Sequence, residues 1–295
     1  MKYYQVFFAA MALMAASCSN ESEEQETKQD LVPVTVRVND FTVSQGEYLA
    51  TRATAVSDYA NLKALTLAFY KSDGTEQYKH VQYKADASTY TTYGEFSTSL
   101  PMGTYTMVVL GSTAESAAAG NIVLTGLHAA SYADVVRETF VAKEEVTVSS
   151  NTPLNLSATL DRSIAKVTVV STDGRAANVH SIRTTFAGGG KSVDPTTGLN
   201  TTNAGYSNTV VTTRPVGNTT TVYNALFLAT DEQTMNITIE TLDEDGNVLF
   251  SKTVPNVPLK RNRETTLTGA MYSASASAGS FQLNADWLTG NGVSF

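Results

Sequence analysis

The sequence predicts an all-β chain of two tandem β-sandwich domains. Three observations carry that reading. Apolar residues recur with a period of two in one segment after another. Asp-Gly, Gly and Asn turn signals separate those segments, and one segment alone has any helical spacing. Many short strands with turns between them and almost no helix describe sandwiches. Thr, Val and Tyr are abundant and charges are few, which suits pleated, half-buried surfaces. At 295 residues the chain can bury sizeable cores, and its length favours two domains.

In chain order, Val32, Val34, Val36 and Val38 alternate with Pro33, Thr35 and Arg37, a half-buried strand with Pro near its start. Leu65–Tyr70 is a second strand, and Asp73-Gly74 turns it into its partner, Glu76–Tyr83. Tyr90–Leu100, Tyr105–Leu110 and Glu145–Ser149 follow, with Pro101-Met102-Gly103-Thr104 as a turn feeding the inner one of these. Ala129–Phe140 is the segment with helical character. A second block repeats the style. Ile164–Val170 leads to an Asp173-Gly174 turn, then come Val179–Phe186, Thr220–Ala229, Met235–Leu242 and Val248–Val254, with Asp245-Gly246-Asn247 turning the last pair. Thr265–Tyr272 and Phe281–Trp287 finish the chain. The domain boundary is expected near Ser150 to Leu160, which gives an N-terminal sandwich over 31–155 and a C-terminal one over 156–295.

The first residues bear on compartment. Lys2 precedes an apolar run, Val6–Ala16, that closes on Ala15-Ala16-Ser17-Cys18. That is a secretory signal over 1–17, too short to span a membrane, which takes about 20 apolar residues. Cys18, the only cysteine, stands where lipoprotein signal peptidase requires one, so lipidation at Cys18 and anchoring by that lipid are expected. With that thiol spent, no disulfide, thiolate nucleophile or cysteine-based metal site remains. Residues 18–30 are polar and acidic and read as a flexible tether.

Chemistry is sought with little return. The balance of 28 acidic to 20 basic residues argues against a nucleic-acid binder, which would show a basic patch. His80, His128 and His180 are far apart and show no ligand spacing. Asp243-Glu244-Asp245-Gly246-Asn247 carries acids at calcium-loop spacing, but Val254 stands where the closing Glu belongs, so it reads as a hairpin turn. Gly188-Gly189-Gly190-Lys191-Ser192 lacks the leading Gly of a phosphate loop and reads as a flexible loop. No nucleophile elbow or paired carboxylate is marked out. The expectation is no catalytic residue, no metal and no cofactor.

More informative is the edge around the first strand. After it comes Ala50-Thr51-Arg52-Ala53-Thr54-Ala55, small, polar and containing one Arg. Such a segment suits cleavage between Arg52 and Ala53 by a trypsin-like protease, and it equally suits a plain linker. Cleavage would remove the lipid and the strand of Val34, Val36 and Val38 together. A sandwich that loses a strand exposes an apolar groove with unpaired backbone groups, and a strand from another copy could fill it. At the other end, Phe281, Leu283, Ala285 and Trp287 alternate with polar residues, which fits either a final core strand or a donor strand.

Taken together, these residues resemble the fimbrillin and fimbrial-anchor family of Bacteroidetes type V pili. The resemblance rests on the lipobox at Cys18, Thr51-Arg52-Ala53-Thr54, and Leu65–Tyr70 with Asp73-Gly74. It rests also on Leu100–Tyr105, Leu160–Val167 and Lys260–Gly269, in that order and spacing. It implies two transthyretin-like β-sandwich domains, delivery as a surface-exposed outer-membrane lipoprotein, and a role in adhesion or biofilm formation. The implied partners are other fimbrial subunits, joined by strand exchange, and a host or glycan receptor. The acid-rich residues after Cys18 resemble the family's signal for the outer face of the outer membrane. Within the family, Arg52 resembles the processing site of polymerising subunits, while the short segment after Trp287 resembles anchors. The reading is therefore a fimbrial subunit of the anchor-like kind. A surface glycan-binding lipoprotein is the alternative, with Tyr83, Tyr90 and Tyr93 as its candidate aromatics.

Overall fold

The computed structural model describes residues 30–42, 54–55, 59–150, 152–272 and 282–284. The described chain is all-β, with one turn of 3-10 helix at Ala87–Thr89 as its only helix. The first ten strands are Leu31–Thr42 (β1), Thr54–Ala55 (β2), Ala64–Lys71 (β3), Glu76–Tyr83 (β4), Glu95–Pro101 (β5), Gly103–Ser112 (β6), Val123–Gly126 (β7), Ala129–Ser131 (β8), Thr139–Val148 (β9) and Leu154–Arg162 (β10). Then follow Ile164–Ser171 (β11), Ser181–Phe186 (β12), Ser192–Val193 (β13), Tyr206–Val211 (β14), Thr221–Phe227 (β15), Glu232–Leu242 (β16), Val248–Lys260 (β17), Glu264–Gly269 (β18) and Gln282–Asn284 (β19).

In the first sandwich, β4-β3-β6-β9 form one layer and β5-β1-β10 the other. The two are continuous where Phe140 and Val141 of β9 pair with Arg162 and Asp161 of β10. Between the layers lies a core of β1 valines with Leu65, Leu67, Phe69, Phe96, Leu100, Met107, Phe140 and Leu160. The second sandwich repeats this strand order. Its layers are β14-β12-β16-β17 and β15-β11-β18, extended by β19. In both, the first strand runs antiparallel to the fourth and parallel to the seventh: β1 with β5 and β10, β11 with β15 and β18.

A third core lies between the two sandwiches. Ala68, Tyr70, Val108 and Leu110 on the outer face of β3 and β6 meet Tyr132, Val193, Ile164 and Phe227. Because both faces of β3 and β6 are covered, Ala64–Tyr70 and Tyr105–Ser112 are buried without a break. That is why these strands read as apolar runs instead of alternating. The Tyr132 and Phe227 rings stack at 6.3 Å, and β13 pairs with β8 across the junction.

Several local expectations change. Ala129–Phe140 is not helical: β8 occupies its start and β9 its end. Tyr132, Val136 and Phe140 recur at helical spacing, but the first two enter the third core and the last enters the first core. Extended chain that serves two cores imitates a helical stripe. The Gly188–Gly190 run is no flexible loop. Gly190 exchanges backbone hydrogen bonds with Phe227 at 3.0 and 3.1 Å, and a Cβ on Gly189 (φ +64°) would lie 2.5 Å from the Phe227 carbonyl oxygen. Here glycine permits close backbone approach. Asp173 turns no hairpin either. Its carboxylate accepts the backbone N–H groups of Met271 and Tyr272, at 2.8 and 2.9 Å. The Asp73-Gly74 and Asp245-Gly246 turns form as expected, with Gly74 and Gly246 both at φ +82°. Finally, β10 runs past the expected 155/156 boundary as part of the first sandwich, and the chain passes into the second sandwich at Ser163.

Candidate functional site

Among the described residues no cluster of three or more His, Cys, Asp or Glu is arranged to hold a metal. The three histidines are dispersed. His80 meets the Phe96 ring edge-on, His128 contacts the Asp194 carboxylate at 3.0 Å across the junction, and His180 lies exposed beside β12. Asp243 accepts from the Asn247 N–H and amide, which holds its carboxyl below the usual range and commits it to the turn. Tyr93 is half-buried and donates to the Leu62 carbonyl, and Tyr90 donates to that of Lys84, so both hydroxyls are tied to their own domain. Tyr83 accepts from the Asn121 amide.

The feature with functional geometry is β1 and the groove that holds it. Val32, Val34, Val36 and Val38 are at most 4% exposed, while Leu31, Pro33 and Arg37 face outward. The β-branched side chains that favour a pleated surface thus fill the core on alternate positions. Val34 lies opposite Thr98 of β5 and Leu154 of β10; Val36 lies opposite Phe96 and Leu156. β1 is therefore a central strand, hydrogen-bonded along both edges. The Val38 N–H reaches the Gly94 carbonyl at 2.8 Å, past the end of β5. Buried Gln82 fixes that rim, accepting from the Gly94 N–H and donating to the Glu95 carbonyl. A shift in register between Val38 and Asp40 then bends β1 toward β2.

At the far mouth of the groove the chain is fastened. Tyr59 donates its hydroxyl to both Glu138 oxygens, at 2.9 and 3.0 Å, and its ring meets Phe140 edge-on. Arg162 of β10 donates to Glu138 at 2.8 Å and to Asn262 of the second sandwich at 2.8 Å, lying over the Phe140 ring. Burial first, and then the Glu138 charge, push the Tyr59 phenol above its usual range. Removal of β1 would leave this fastening in place, since none of its members belongs to β1.

Of the residues singled out in the sequence, Val34, Val36 and Val38 line the groove. Cys18, Arg52, Ala53, Phe281 and Trp287 lie outside the described residues. Leu283 pairs through its backbone with Leu267 of β18. The β10 wall was overlooked, although Leu154, Leu156, Ala158 and Leu160 alternate and could have disclosed it. The Tyr59–Glu138–Arg162 fastening had no local signal, because its members are far apart in the chain.

The model of a family of unknown function, DUF6562, matches residues 26–287. The chain belongs to that family. A comparison with curated proteins finds no match. Solved structures do share the fold. The fimbrial anchor protein Mfa2 of Porphyromonas gingivalis is 14% identical with a TM-score of 0.52, over 86% of this chain and 98% of that one. A candidate adhesin of Bacteroides ovatus is 12% identical, TM-score 0.51, over 82% and 87%. Another from Bacteroides thetaiotaomicron is 9% identical, TM-score 0.51, over 88% and 97%. The resemblance read from the residues is thus matched in the fold of this DUF6562 member.

Proposed function

We propose that the chain is a structural subunit or anchor of a cell-surface fimbrium, lipidated at Cys18, that joins its neighbours by exchanging β1. Its work is assembly and adhesion, and it involves no catalysis by this chain. The observation that carries the reading is the position of β1: a buried central strand that the chain continues into β2 through residues 43–53. A single cut after Arg52 would free it. The pseudo-equivalent strand of the second sandwich, β11, follows β10 after Ser163 and leads through residues 172–180 into β12, so no single cut can free it. The emptied groove would expose the edges of β5 and β10 and the apolar side chains that the valines now cover, a template for an incoming strand. Burial of four valines stabilises the closed form by about 6–8 kcal/mol, so exchange calls for an incoming strand of comparable fit.

Likeness of fold to a fimbrial anchor protein and to candidate adhesins supports this reading. The two sandwich domains meet at Ser163 in this proposal, with the acidic tether at 18–30 carrying them away from the membrane. The test is the N-terminus of the protein isolated from its native outer membrane, beside an Arg52→Ala variant. A wild-type form that starts at Ala53, and is lost in the variant, is expected. A form that keeps lipidated Cys18 would end the exchange mechanism and leave an anchor, or a binding lipoprotein that never joins a fibre.

A further inference from the structure

We infer that the groove is built for a strand of β-branched aliphatic residues from a different polypeptide, and that this chain does not serve as its own donor. The inference rests on the strand-exchange reading above and names the partner for it. Two independent observations carry it.

The first is the fit of the groove. Of the β1 residues whose burial is described, the four inward ones, Val32, Val34, Val36 and Val38, are all valine, and Val36 is fully buried. Around them stand large side chains that are themselves buried without remainder: Leu67, Phe69, Phe96, Leu100 and Met107. Toward the far end the packing is tight enough that a methyl group on Gly111 would lie 2.8 Å from Leu62 and 3.1 Å from Leu160. Cores at this density reject added atoms, because neighbours must leave their rotamers to admit them. A strand of valine or isoleucine at alternate positions fits; one carrying Phe or Trp inward does not.

The second is the fate of the chain's own C-terminal strand. In sequence its alternate residues are Phe281, Leu283, Ala285 and Trp287. Laid on the valine positions in either direction, they bring two aromatic rings to sites of valine size. Moreover, Gln282, Leu283 and Asn284 already pair with Thr268, Leu267 and Thr266, extending the second sandwich beyond β18. Donating this strand would strip an edge from its own domain. Both facts turn the groove toward a foreign strand, and head-to-tail growth from copies of this chain alone is disfavoured.

The test uses the full mature chain cut at Arg52 with an arginine-specific protease and offered isotope-labelled peptides, with native mass spectrometry as the readout. One peptide is Leu31–Thr42, a second keeps valine or isoleucine at the inward positions among new polar residues, and a third is Phe281–Leu288. Uptake of the first two, with the third about tenfold weaker or worse, is expected. Equal uptake of the third overturns the inference and makes the chain a self-donor. Failure of labelled Leu31–Thr42 itself to exchange removes the strand-exchange reading, and the inference with it. In the uncut chain, Val36→Ile should melt close to wild type and Val36→Phe well below it; a Val36→Phe chain that melts like wild type would show the groove is not of valine size.

Discussion

Glu138 shows how one side chain fastens the mouth of the groove. It receives Tyr59 from the segment after β2 and Arg162 from β10, and Arg162 passes the contact on to Asn262. Glu138 and Arg162 are 23% and 17% exposed as side chains, so their interaction is only partly screened. Replacing Glu138 by Gln leaves Arg162 without its charge partner and is expected to destabilise the chain by about 2 kcal/mol, read from urea unfolding. A Tyr59→Phe change removes one donor and keeps the ring against Phe140, so it should cost less than the Gln variant. The reverse order would mean that the Tyr59 hydroxyl, and not the Arg162 contact, holds this point.

Among the elements, β1 has the sharpest division between its faces. Truncation of Val36 to Ala removes buried methyl groups and leaves space that rigid neighbours cannot close, with an expected loss of about 2 kcal/mol. The same truncation at Thr35, which faces outward, should be nearly silent in the same unfolding experiment. Much of this element was legible beforehand, since period-two alternation from Val32 to Val38 is a local signal. The β3–β4 and β16–β17 hairpins were legible for the same reason, as Asp-Gly supplies the left-handed glycine that such turns demand. β10 was written in the sequence too, but its alternation lies in the stretch read as a boundary. Ala129–Phe140 misled because apolar spacing says which residues are buried, and not that one core buries them all.

For the molecule as a whole, the third core makes the two sandwiches depend on each other. Phe227 is fully buried there against Tyr132. Phe227→Ala is expected to cost about 3–5 kcal/mol and to split one calorimetric transition into two, as each sandwich falls back on its own core. A single transition at lower temperature would mean the halves are coupled by more than this contact. Alkali offers another view of the interior. Burial pushes Tyr70 and Tyr132 up to about 12, and it raises Tyr59, Tyr78, Tyr93 and Tyr206 as well. In the unfolded chain these phenols ionise near pH 10 or so, below their folded values, so the unfolded state loses protons first. Stability is therefore held up to about pH 10 and falls as pH rises toward about 12, which urea midpoints measured across that range would show.

By itself the sequence determined the all-β class, the inward set of Val32, Val34, Val36 and Val38, and the two tight Asp-Gly turns, because each follows from spacing within a few residues. The proposals at Cys18 and Arg52 also rest on the sequence alone, on patterns of a few neighbouring residues. Only the tertiary structure decided that β1 is a central strand between β5 and β10, since pairing partners are chosen by contacts between distant segments. It alone decided that Gly188–Gly190 is a tight seam and that Tyr59, Glu138, Arg162 and Asn262 meet. Alternation tells a strand which face is buried; it says nothing of which strands lie beside it, and the groove is made of those neighbours.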